Sequence, residues 1–246
     1  MTIASELTKL NTNLTNAYTA VDDKGGTLPS AQNFDNLATA ISSIPSGGSG
    51  GSGTTDVELT RISDDNGNEI GTHYMNFEDA NGNIFKVIVL DAQYRNDSTQ
   101  WCSQKSTVTD MPLYTSNYTY WWYDNAKETA TTNTQLILDF CTAGGYTSTA
   151  CSHCRSQSFT INGTTYYGQL PNMREVFDMW RHRTGIESMD TSASTSSSTN
   201  FRSHRNIWSS SQYGSNYSMY LGFNGIVDDA IKTNKYFACP VLEIPV

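Results

Sequence analysis

The sequence predicts an α+β protein in which a short helical segment precedes a larger domain of strands, turns and a few helices. Three observations lead to this fold class. Apolar residues recur with heptad spacing in residues 1–24, a Gly/Ser run occupies residues 46–53, and short alternating stretches with Asn-Gly turns begin after Thr54. We therefore expect a helical oligomerisation segment at residues 1–45, a linker at 46–53 and a folded domain at 54–246.

The first helix carries a narrow apolar stripe. Its members follow the 4-3-4-3-4 spacing of a coiled coil: Ile3, Leu7, Leu10, Leu14, Ala17 and Val21. A single amphipathic helix packed on its own domain is the alternative, but such helices usually have a wider apolar face. The pattern therefore favours helix self-association.

A second helix is predicted after Gly25-Gly26, from Ala31 to Ile44, with Ser30 as its N-cap. It is expected to bury five apolar side chains: Phe34, Leu37, Ala38, Ile41 and Ile44. Because two helices this short cannot bury their apolar faces within one hairpin, we expect the segment to self-associate, as a trimer.

The run from Ser46 to Gly53 has the composition of a flexible linker and marks a domain boundary. The spacing of apolar residues predicts helices before this run and strands after it. Its regularity also fits an engineered junction in place of a natural segment, and the sequence leaves both origins open.

Strands and hairpin turns are predicted throughout the larger domain. Alternation indicates a strand at Val57–Ile62, and a continuous apolar run indicates a buried strand at Ile84–Leu90. Phe159–Tyr167 is predicted as a hairpin with an Asn-Gly turn, and Leu136–Phe140 is a further short apolar run in this region of strands and turns. The Asp-rich residues 64–68 lack the remaining ligands of a calcium loop and are interpreted as a turn.

One helix of the larger domain, Leu170–Arg181, has a clear start signal. Asn172 is the expected N-cap, and Glu175 follows three positions later, as in a capping box. One face of this helix carries its large apolar side chains: Met173, Val176, Phe177 and Trp180. The Ser/Thr-rich residues 189–200 are predicted to form a loop without a role in the core.

Charge and composition exclude several classes of protein. The formal net charge of −9 argues against a nucleic-acid or anionic-membrane binder, because both need a basic face. Basic residues do gather between Arg174 and Arg205, which suits either acidic sugars or a solvated surface. No apolar run approaches the roughly 20 residues of a membrane span, so no membrane insertion is expected. The N-terminus lacks the pattern of a signal peptide, which predicts synthesis in the cytoplasm and a later destination reached by assembly.

The sequence contains none of the common motifs of catalysis or cofactor binding. The sequence has no phosphate-binding glycine loop, dinucleotide fingerprint or nucleophile elbow, so neither an enzyme nor a cofactor is predicted. Cys151 and Cys154 have the spacing of a metal knuckle, with Cys141 upstream, but a structural zinc site usually needs a second pair. A cysteine nucleophile at Cys151 or Cys154, paired with His182, is the catalytic alternative.

Two further features concern buried or aromatic residues. Cys102 and Cys239 lie in apolar surroundings and are predicted to be plain buried thiols. The aromatic stretch Tyr114–Tyr123 is either a platform for sugar binding or a contact in the core or between subunits.

Residues 206–246 combine strand-like anchors with residue types typical of binding surfaces. The anchors are Ile207-Trp208, Tyr220–Phe223 and Tyr236–Ile244. The intervening Tyr, Ser, Asn and Gly residues combine rigid contact area with adaptable hydrogen bonding. This composition indicates a displayed binding face on a fixed scaffold, and an ordinary polar loop between strands is the alternative. We expect Trp208 to be buried and Tyr213 and Tyr217 to be exposed.

After Leu170 the motifs follow a definite order. They are a Leu-Pro-Asn helix ending near Met179-Trp180, a Ser/Thr loop, Ile207–Ser211, a Leu221-Gly222-Phe223 strand and Tyr236–Val241. This order resembles the C-type-lectin-like fold of the formylglycine-generating-enzyme branch, found in variable proteins of diversity-generating retroelements. The resemblance covers roughly residues 84–246, although Cys239 stands where family members commonly have Arg before the proline. Residues 25–41 separately resemble a short helical repeat of phage tail and structural proteins.

The resemblance implies a C-type-lectin-like domain with irregular loops and a variable ligand-binding face. In this family, mutation at template adenines converts Asn codons to several residue types but never to Trp, Gln, Met, Lys or Glu. Residues of the unreachable types are then fixed scaffold: Trp208, Gln212, Met219, Lys232 and Lys235. Residues of reachable types are the expected variable face: Phe201, Ser203, His204, Arg205, Ser211, Tyr213, Ser215, Tyr217, Asp228, Asp229 and Ile231.

The resemblance further implies a non-enzymatic receptor- or ligand-binding protein of a phage tail, which recognises a host cell-surface protein or glycan. Several heads on a trimeric helical segment would gain avidity. The expected location is the virion or a cell-surface assembly. Two alternatives stay open: a metal- or thiol-dependent enzyme on the same fold, and an inert structural tail or adhesin protein.

Overall fold

The structure, a computed structural model, describes residues 3–23, 28–42, 57–111, 127–190, 192, 206–222 and 224–246. The chain divides into two compact units, Met1–Thr55 and Asp56–Val246. The predicted linker at 46–53, the aromatic stretch at 114–123 and most of the Ser/Thr stretch at 189–200 lie outside the described residues. Helices and largely antiparallel sheets together make an α+β protein, the class that the sequence predicts.

The N-terminal unit contains two helices that pack together as a hairpin, as predicted. They are α1, Ile3–Asp23, and α2, Phe34–Ser42. Tyr18, Val21 and Ala40 form the buried apolar cluster of the hairpin. The Tyr18 hydroxyl donates a hydrogen bond to the Asn33 carbonyl at 2.8 Å, which ties α1 to the start of α2.

Two predictions about α2 are wrong. The helix begins at Phe34 rather than Ala31, because the Asn33 side chain, not that of Ser30, accepts the Asn36 N–H at 3.0 Å. Phe34 is not buried, since 57% of its surface is exposed. Leu10 on α1 is exposed as well, at 49%, so both side chains are available for contacts beyond the hairpin.

The larger unit is built from short strands and helices. Its strands are β1 (Thr60–Ser63), β2 (Glu69–Glu78), β3 (Ile84–Leu90), β4 (Asn96–Gln100), β5 (Ser158–Ile161), β6 (Thr164–Tyr167), β7 (Ile207–Gln212), β8 (Tyr217–Leu221), β9 (Val227–Ile231), β10 (Lys235–Ala238) and β11 (Val241–Pro245). Its helices are α3 (Ala130–Gly144), α4 (Thr149–Arg155), α5 (Met173–Arg181) and α6 (Arg183–Met189). Among the described residues, no helix combines the length and apolar character that crossing a membrane requires.

The first sheet is antiparallel and has the order β1-β2-β3-β11. Its two turns, between β1 and β2 and between β2 and β3, are closed by the same pattern of hydrogen bonds. The Asp64 carboxylate accepts the N–H groups of Asn66 and Asn68, and Asp79 repeats the pattern at Asn81 and Asn83. The turns and the strand at 84–90 are as predicted, but only residues 87–90 of that strand are buried, and Ile84 is exposed. Strand β1 begins at residue 60 instead of 57.

The second sheet has the order β4-β10-β7-β8-β9 and is antiparallel except for the β10–β7 pair. Strand β7 therefore lies at its centre. A separate hairpin of β5 and β6 turns at Asn162-Gly163, where both residues have positive φ, as the Asn-Gly pair predicts.

Helix α3 corrects the interpretation of Leu136–Phe140, which lies inside a helix rather than among strands. The Thr129 side chain caps the helix by accepting the Thr132 N–H, and Gly145 ends it in the left-handed conformation. Buried Ile137 and Cys141 stand four residues apart, which is a helical period. The apolar run at 136–140 is one section of this longer helical pattern of buried residues.

Helix α5 is confirmed with its capping box. The Asn172 side chain accepts the Glu175 N–H at 2.9 Å, and the Glu175 carboxylate accepts the Asn172 N–H at 2.8 Å. Met173 and Val176 are fully buried, as the predicted apolar face requires.

Apolar clusters cover both sides of the second sheet. Ile207, Met219 and Leu221 belong to the cluster that includes α5, whereas Trp208 belongs to the cluster that includes α3 and α4. This division follows from the alternation of side chains along a strand. Every residue of β7 is consequently buried, its three serines included.

Candidate functional site

The predicted variable residues separate into three groups. Phe201, Ser203, His204 and Arg205 lie outside the described residues. Ser211 and Asp228 are described, but neither shares a surface with the other predicted residues. The remaining residues come together at one end of the second sheet and are called the Tyr217 face: Tyr213, Ser215, Tyr217, Asp229 and Ile231.

Strand pairing holds the Tyr217 face together. Tyr217 lies directly opposite Ile231, and Asp229 lies opposite Met219. Residues two apart on antiparallel strands share one side of the sheet, so Tyr217, Asp229 and Ile231 are neighbours. The Tyr213 N–H donates to the Tyr217 carbonyl at 3.2 Å and closes the turn between β7 and β8.

Exposure differs within the Tyr217 face. Tyr217 is 40% exposed, as predicted, and Ser215 is exposed in the turn. Asp229 and Ile231 are half-buried, and burial, followed by the nearby Asp228 charge, raises the pKa of Asp229. The prediction that Tyr213 is exposed is wrong: it is half-buried because it packs on the apolar cluster beneath.

Ser211 does not belong to a binding surface, which corrects the prediction. Its side chain is fully buried in β7. The hydroxyl accepts the Met173 N–H at 3.0 Å, and the Ser211 carbonyl accepts the Ser218 hydroxyl at 2.8 Å. Ser211 therefore joins the start of α5 to the central strand and cannot contact a ligand.

Asp228 lies on the opposite side of the sheet from Asp229. Its cross-strand neighbour Tyr220 donates its hydroxyl to the Asp228 carboxylate at 3.4 Å. The Tyr220 ring contacts Tyr236, with ring centroids 4.9 Å apart. Burial, together with the Asp228 charge, raises the pKa of Tyr220 to about 12. Asp228 is thus part of an aromatic patch and not of the Tyr217 face.

The sequence predicts Tyr220 and Tyr236 as strand anchors and does not predict that their rings meet in one patch. Both rings are half-buried, and Trp208 lies beside Tyr236 at a centroid distance of 4.6 Å. Because side chains alternate along β8, those of Tyr220 and Tyr217 lie on opposite sides of the sheet. The same alternation would have assigned these aromatic residues to a second side of the sheet.

The residues expected to be scaffold are mostly buried. Trp208, Gln212, Met219 and Lys232 are buried, whereas Lys235 is exposed. The Lys232 ammonium donates to the Gln212 side-chain carbonyl at 2.6 Å and to the Ser106 carbonyl at 2.7 Å. Burial lowers the pKa of Lys232 to about 8. This hydrogen bond holds Gln212, the last residue of β7, which immediately precedes Tyr213 in the chain.

The cysteines considered for metal binding or catalysis are deeply buried. Within the described ranges, no group of three or more His, Cys, Asp or Glu side chains is placed to hold a metal ion. Burial raises the pKa of Cys151 to about 12 and that of Cys154 well above its ordinary value. Both groups are therefore neutral thiols near pH 7, which are weak nucleophiles. Cys102 and Cys239 are buried, as predicted.

The basic residues between 174 and 205 do not form one solvated surface in the described part of the chain. Arg174, in α5, is fully buried, and its guanidinium lies over the Phe77 ring at 5.8 Å. Arg183 stacks on Trp180 at 4.1 Å, and Arg181 pairs with Asp178 at 3.1 Å. These side chains have structural partners, which leaves no evident site for an acidic sugar among them.

Comparison of the chain with protein-family models, with characterised proteins and with solved structures found no match in any of the three. The fold is accordingly assigned to the α+β class alone.

Proposed function

We propose that this protein is a non-enzymatic ligand-binding protein whose Tyr217 face contacts a host cell-surface protein or glycan. The observation that supports this most is the convergence of Tyr217, Asp229 and Ile231 on one side of a sheet that is otherwise packed on both sides. An aromatic ring, a carboxyl group and an aliphatic side chain together offer stacking, hydrogen bonding and apolar contact.

The strands beneath this face are firmly held. The Ser209 hydroxyl donates to the Met219 carbonyl at 2.9 Å, and the Ser218 hydroxyl donates to Ser211 on the neighbouring strand. Both serines are buried, so these hydrogen bonds are shielded from water. A face on such a scaffold binds with little loss of conformational entropy, and its exposed side chains can change without unfolding the domain.

This arrangement suits the C-type-lectin-like variable proteins that the C-terminal motifs resemble. In the proposal, exposed residues of the Tyr217 face vary while the buried Trp208, Gln212, Met219 and Lys232 are retained. Ser211 is removed from the variable set, because a larger residue there would break the contact with α5. The neutral, buried thiols of Cys151 and Cys154 favour binding over thiol-dependent catalysis.

The N-terminal unit supplies the second half of the proposal. Leu10 and Phe34 leave large apolar surfaces exposed on the hairpin, and apolar side chains of this size favour burial against a partner. Self-association as a trimer would present three copies of the Tyr217 face. Weak single contacts would then combine into strong attachment of a phage tail or cell-surface assembly to a host.

The test compares Tyr217→Ala with Tyr167→Ala, a matched change of another exposed strand tyrosine on β6. The labelled full chain is titrated onto a panel of intact bacterial cells and onto an array of surface glycans. We expect the parent to bind a subset, Tyr217→Ala to lose about 10-fold to 100-fold in affinity, and Tyr167→Ala to bind like the parent. Equal losses in the two variants, or no binding by the parent to any surface, would reject the Tyr217 face as the ligand site.

A further inference from the structure

Two cysteine side chains that the sequence treats separately meet inside the larger unit. The sulfur atoms of Cys102 and Cys141 lie 3.5 Å apart, although the residues are 39 positions apart in the chain. Cys102 follows strand β4, and Cys141 lies in α3. Both are buried and neither is in a disulfide in the structure.

The surroundings of Cys102 differ from those of the other buried cysteines. Its sulfur accepts the Gln104 N–H at 3.4 Å and lies within hydrogen-bond distance of the Cys141 sulfur, where either thiol can donate. The Lys232 ammonium, held over the Trp101 ring at 4.5 Å, adds a favourable charge. These contacts, led by the hydrogen bond with Cys141, lower the pKa of Cys102 below its ordinary value. Cys239, in contrast, has its pKa raised to about 12 by burial.

We propose that Cys102 and Cys141 are an oxidisable pair that forms an intramolecular disulfide when the protein meets a peroxide. The side chains need to close from 3.5 Å to the disulfide bond length of about 2.05 Å. Nothing in the binding proposal requires this bond, so the two proposals stand or fall separately.

The chemistry runs through two displacements. The Cys102 thiolate attacks one oxygen of hydrogen peroxide, the O–O bond breaks, and the departing hydroxide takes up a proton as water, leaving a sulfenic acid. The Cys141 sulfur then attacks the sulfenic sulfur, and the expelled hydroxide takes the Cys141 proton to leave as a second water. Two thiols lose two electrons in total, and the peroxide gains them.

The bond would connect the segment after β4 to α3. The same segment holds the end of β7, because the Val108 N–H donates to the Gln212 side chain at 2.8 Å and its carbonyl accepts from Gln212 at 3.1 Å. Gln212 immediately precedes Tyr213. Oxidation outside a reducing cytoplasm would therefore stiffen the support of the turn that carries Ser215.

The decisive experiment maps the linkage in the parent protein. The full chain is treated with hydrogen peroxide, its remaining thiols are blocked by alkylation, and the unreduced digest is analysed by mass spectrometry. We expect a peptide pair joined through Cys102 and Cys141, with Cys151, Cys154 and Cys239 alkylated. A linkage involving any of the other three, or sulfinic acid at Cys102 without a linkage, would overturn the proposal.

A thermal measurement with matched variants adds a second readout. Peroxide should raise the melting temperature of the parent by several degrees, and dithiothreitol should reverse the rise. Cys239→Ser should keep this response, whereas Cys141→Ser should lose it and retain an unlinked Cys102. A rise in Cys141→Ser equal to that of the parent would mean that another pair carries the cross-link.

Discussion

Among single residues, Trp208 joins three strands of the second sheet. Its indole N–H donates to the Thr99 carbonyl of β4 at 2.9 Å, and its ring contacts Tyr236 of β10. The side chain is fully buried and its one polar atom has a partner. A large side chain in this position stabilises both the apolar cluster and the order of the strands.

Replacing Trp208 with Ala should lower the free energy of unfolding by about 3–5 kcal/mol, because it leaves a large cavity. Trp208→Phe should cost less, since it keeps most of the ring but leaves the buried Thr99 carbonyl without its donor. Chemical denaturation measures both losses. Tyr167→Ala, at an exposed position, is the control and should change stability by no more than about 0.5 kcal/mol.

Two glutamates meet in the core at the start of α3. The two oxygens of Glu243 accept the N–H groups of Ala130 and Thr131, each at 2.8 Å. Glu175 uses one oxygen as the acceptor in its capping box, and its other oxygen has no donor within the described residues. Burial first, and then the Glu243 charge, raise the pKa of Glu175 well above its ordinary value. The pKa of Glu243 is raised as well, by burial, so we expect the pair to hold a proton in the folded state and assign it to Glu175, whose second oxygen accepts no N–H.

Stability should fall as the pH rises above the ordinary glutamate pKa of 4.5, because the folded state keeps a proton that the unfolded state releases. Glu175→Gln should flatten this dependence, since its amide donates to Glu243 at every pH. Glu243→Gln should destabilise strongly, because an amide N–H would face a backbone N–H of α3. Melting temperatures between about pH 5 and pH 8 test this, with exposed Glu58→Gln as the control. A dependence in Glu175→Gln as steep as in the parent would contradict the assignment.

Among the elements, tight turns determine how the strands pair, but their surroundings differ. Gly67, between β1 and β2, and Gly225, between β8 and β9, both have a φ of 81°. A side chain on Gly67 would meet open space, whereas one on Gly225 would overlap the Trp180 indole. The β8–β9 turn is thus packed on α5 at Gly225. The β1–β2 turn contacts the β5–β6 hairpin through Asp65 but leaves the space around Gly67 open.

This difference predicts unequal costs for the same substitution. Gly67→Ala should lower the free energy of unfolding by about 1 kcal/mol, from the left-handed backbone alone. Gly225→Ala should lower the free energy of unfolding by about 1–3 kcal/mol more than Gly67→Ala does, because the Trp180 ring has to move. Chemical denaturation of the two variants gives the difference directly. Equal losses would show that the Trp180 ring shifts without penalty.

At the scale of the whole molecule, the exposed apolar side chains of the N-terminal unit predict self-association. The N-terminal unit buries Tyr18 and Val21 within its own hairpin but leaves Leu10 and Phe34 exposed. Exposed apolar side chains of this kind are removed from water when helices associate. The predicted trimer would place this contact in the N-terminal unit, whereas the Tyr217 face belongs to the larger unit.

Sedimentation of the full chain should show a trimer, and Leu10→Asp combined with Phe34→Asp should yield a monomer whose larger unit stays folded. Leu14 is left unchanged, because it packs within the hairpin. Asn13→Asp with Asn16→Asp adds the same charge at exposed polar positions and should leave the trimer intact. An oligomer that survives the first pair of changes would place the interface in the larger unit.

The features that the sequence determined by itself are local. The capping box of Asn172 and Glu175, the Asn162-Gly163 hairpin and the first helix, α1, all appear where they were predicted. Each depends on backbone hydrogen bonds or side-chain spacing within a few residues. At the candidate site, the burial of Trp208 and the exposure of Tyr217 were predictable, because an apolar anchor and a polar turn differ in composition.

Only the tertiary structure decided which polar residues are inside. Ser211 is a typical surface residue by type, yet its hydroxyl is needed by the Met173 N–H, 38 positions away in the chain. The contact of Cys102 with Cys141 likewise depends on how α3 lies against the segment after β4. The free energy of burying such a group is set by whether a distant partner satisfies it. That partner exists only once the strands and helices have packed together.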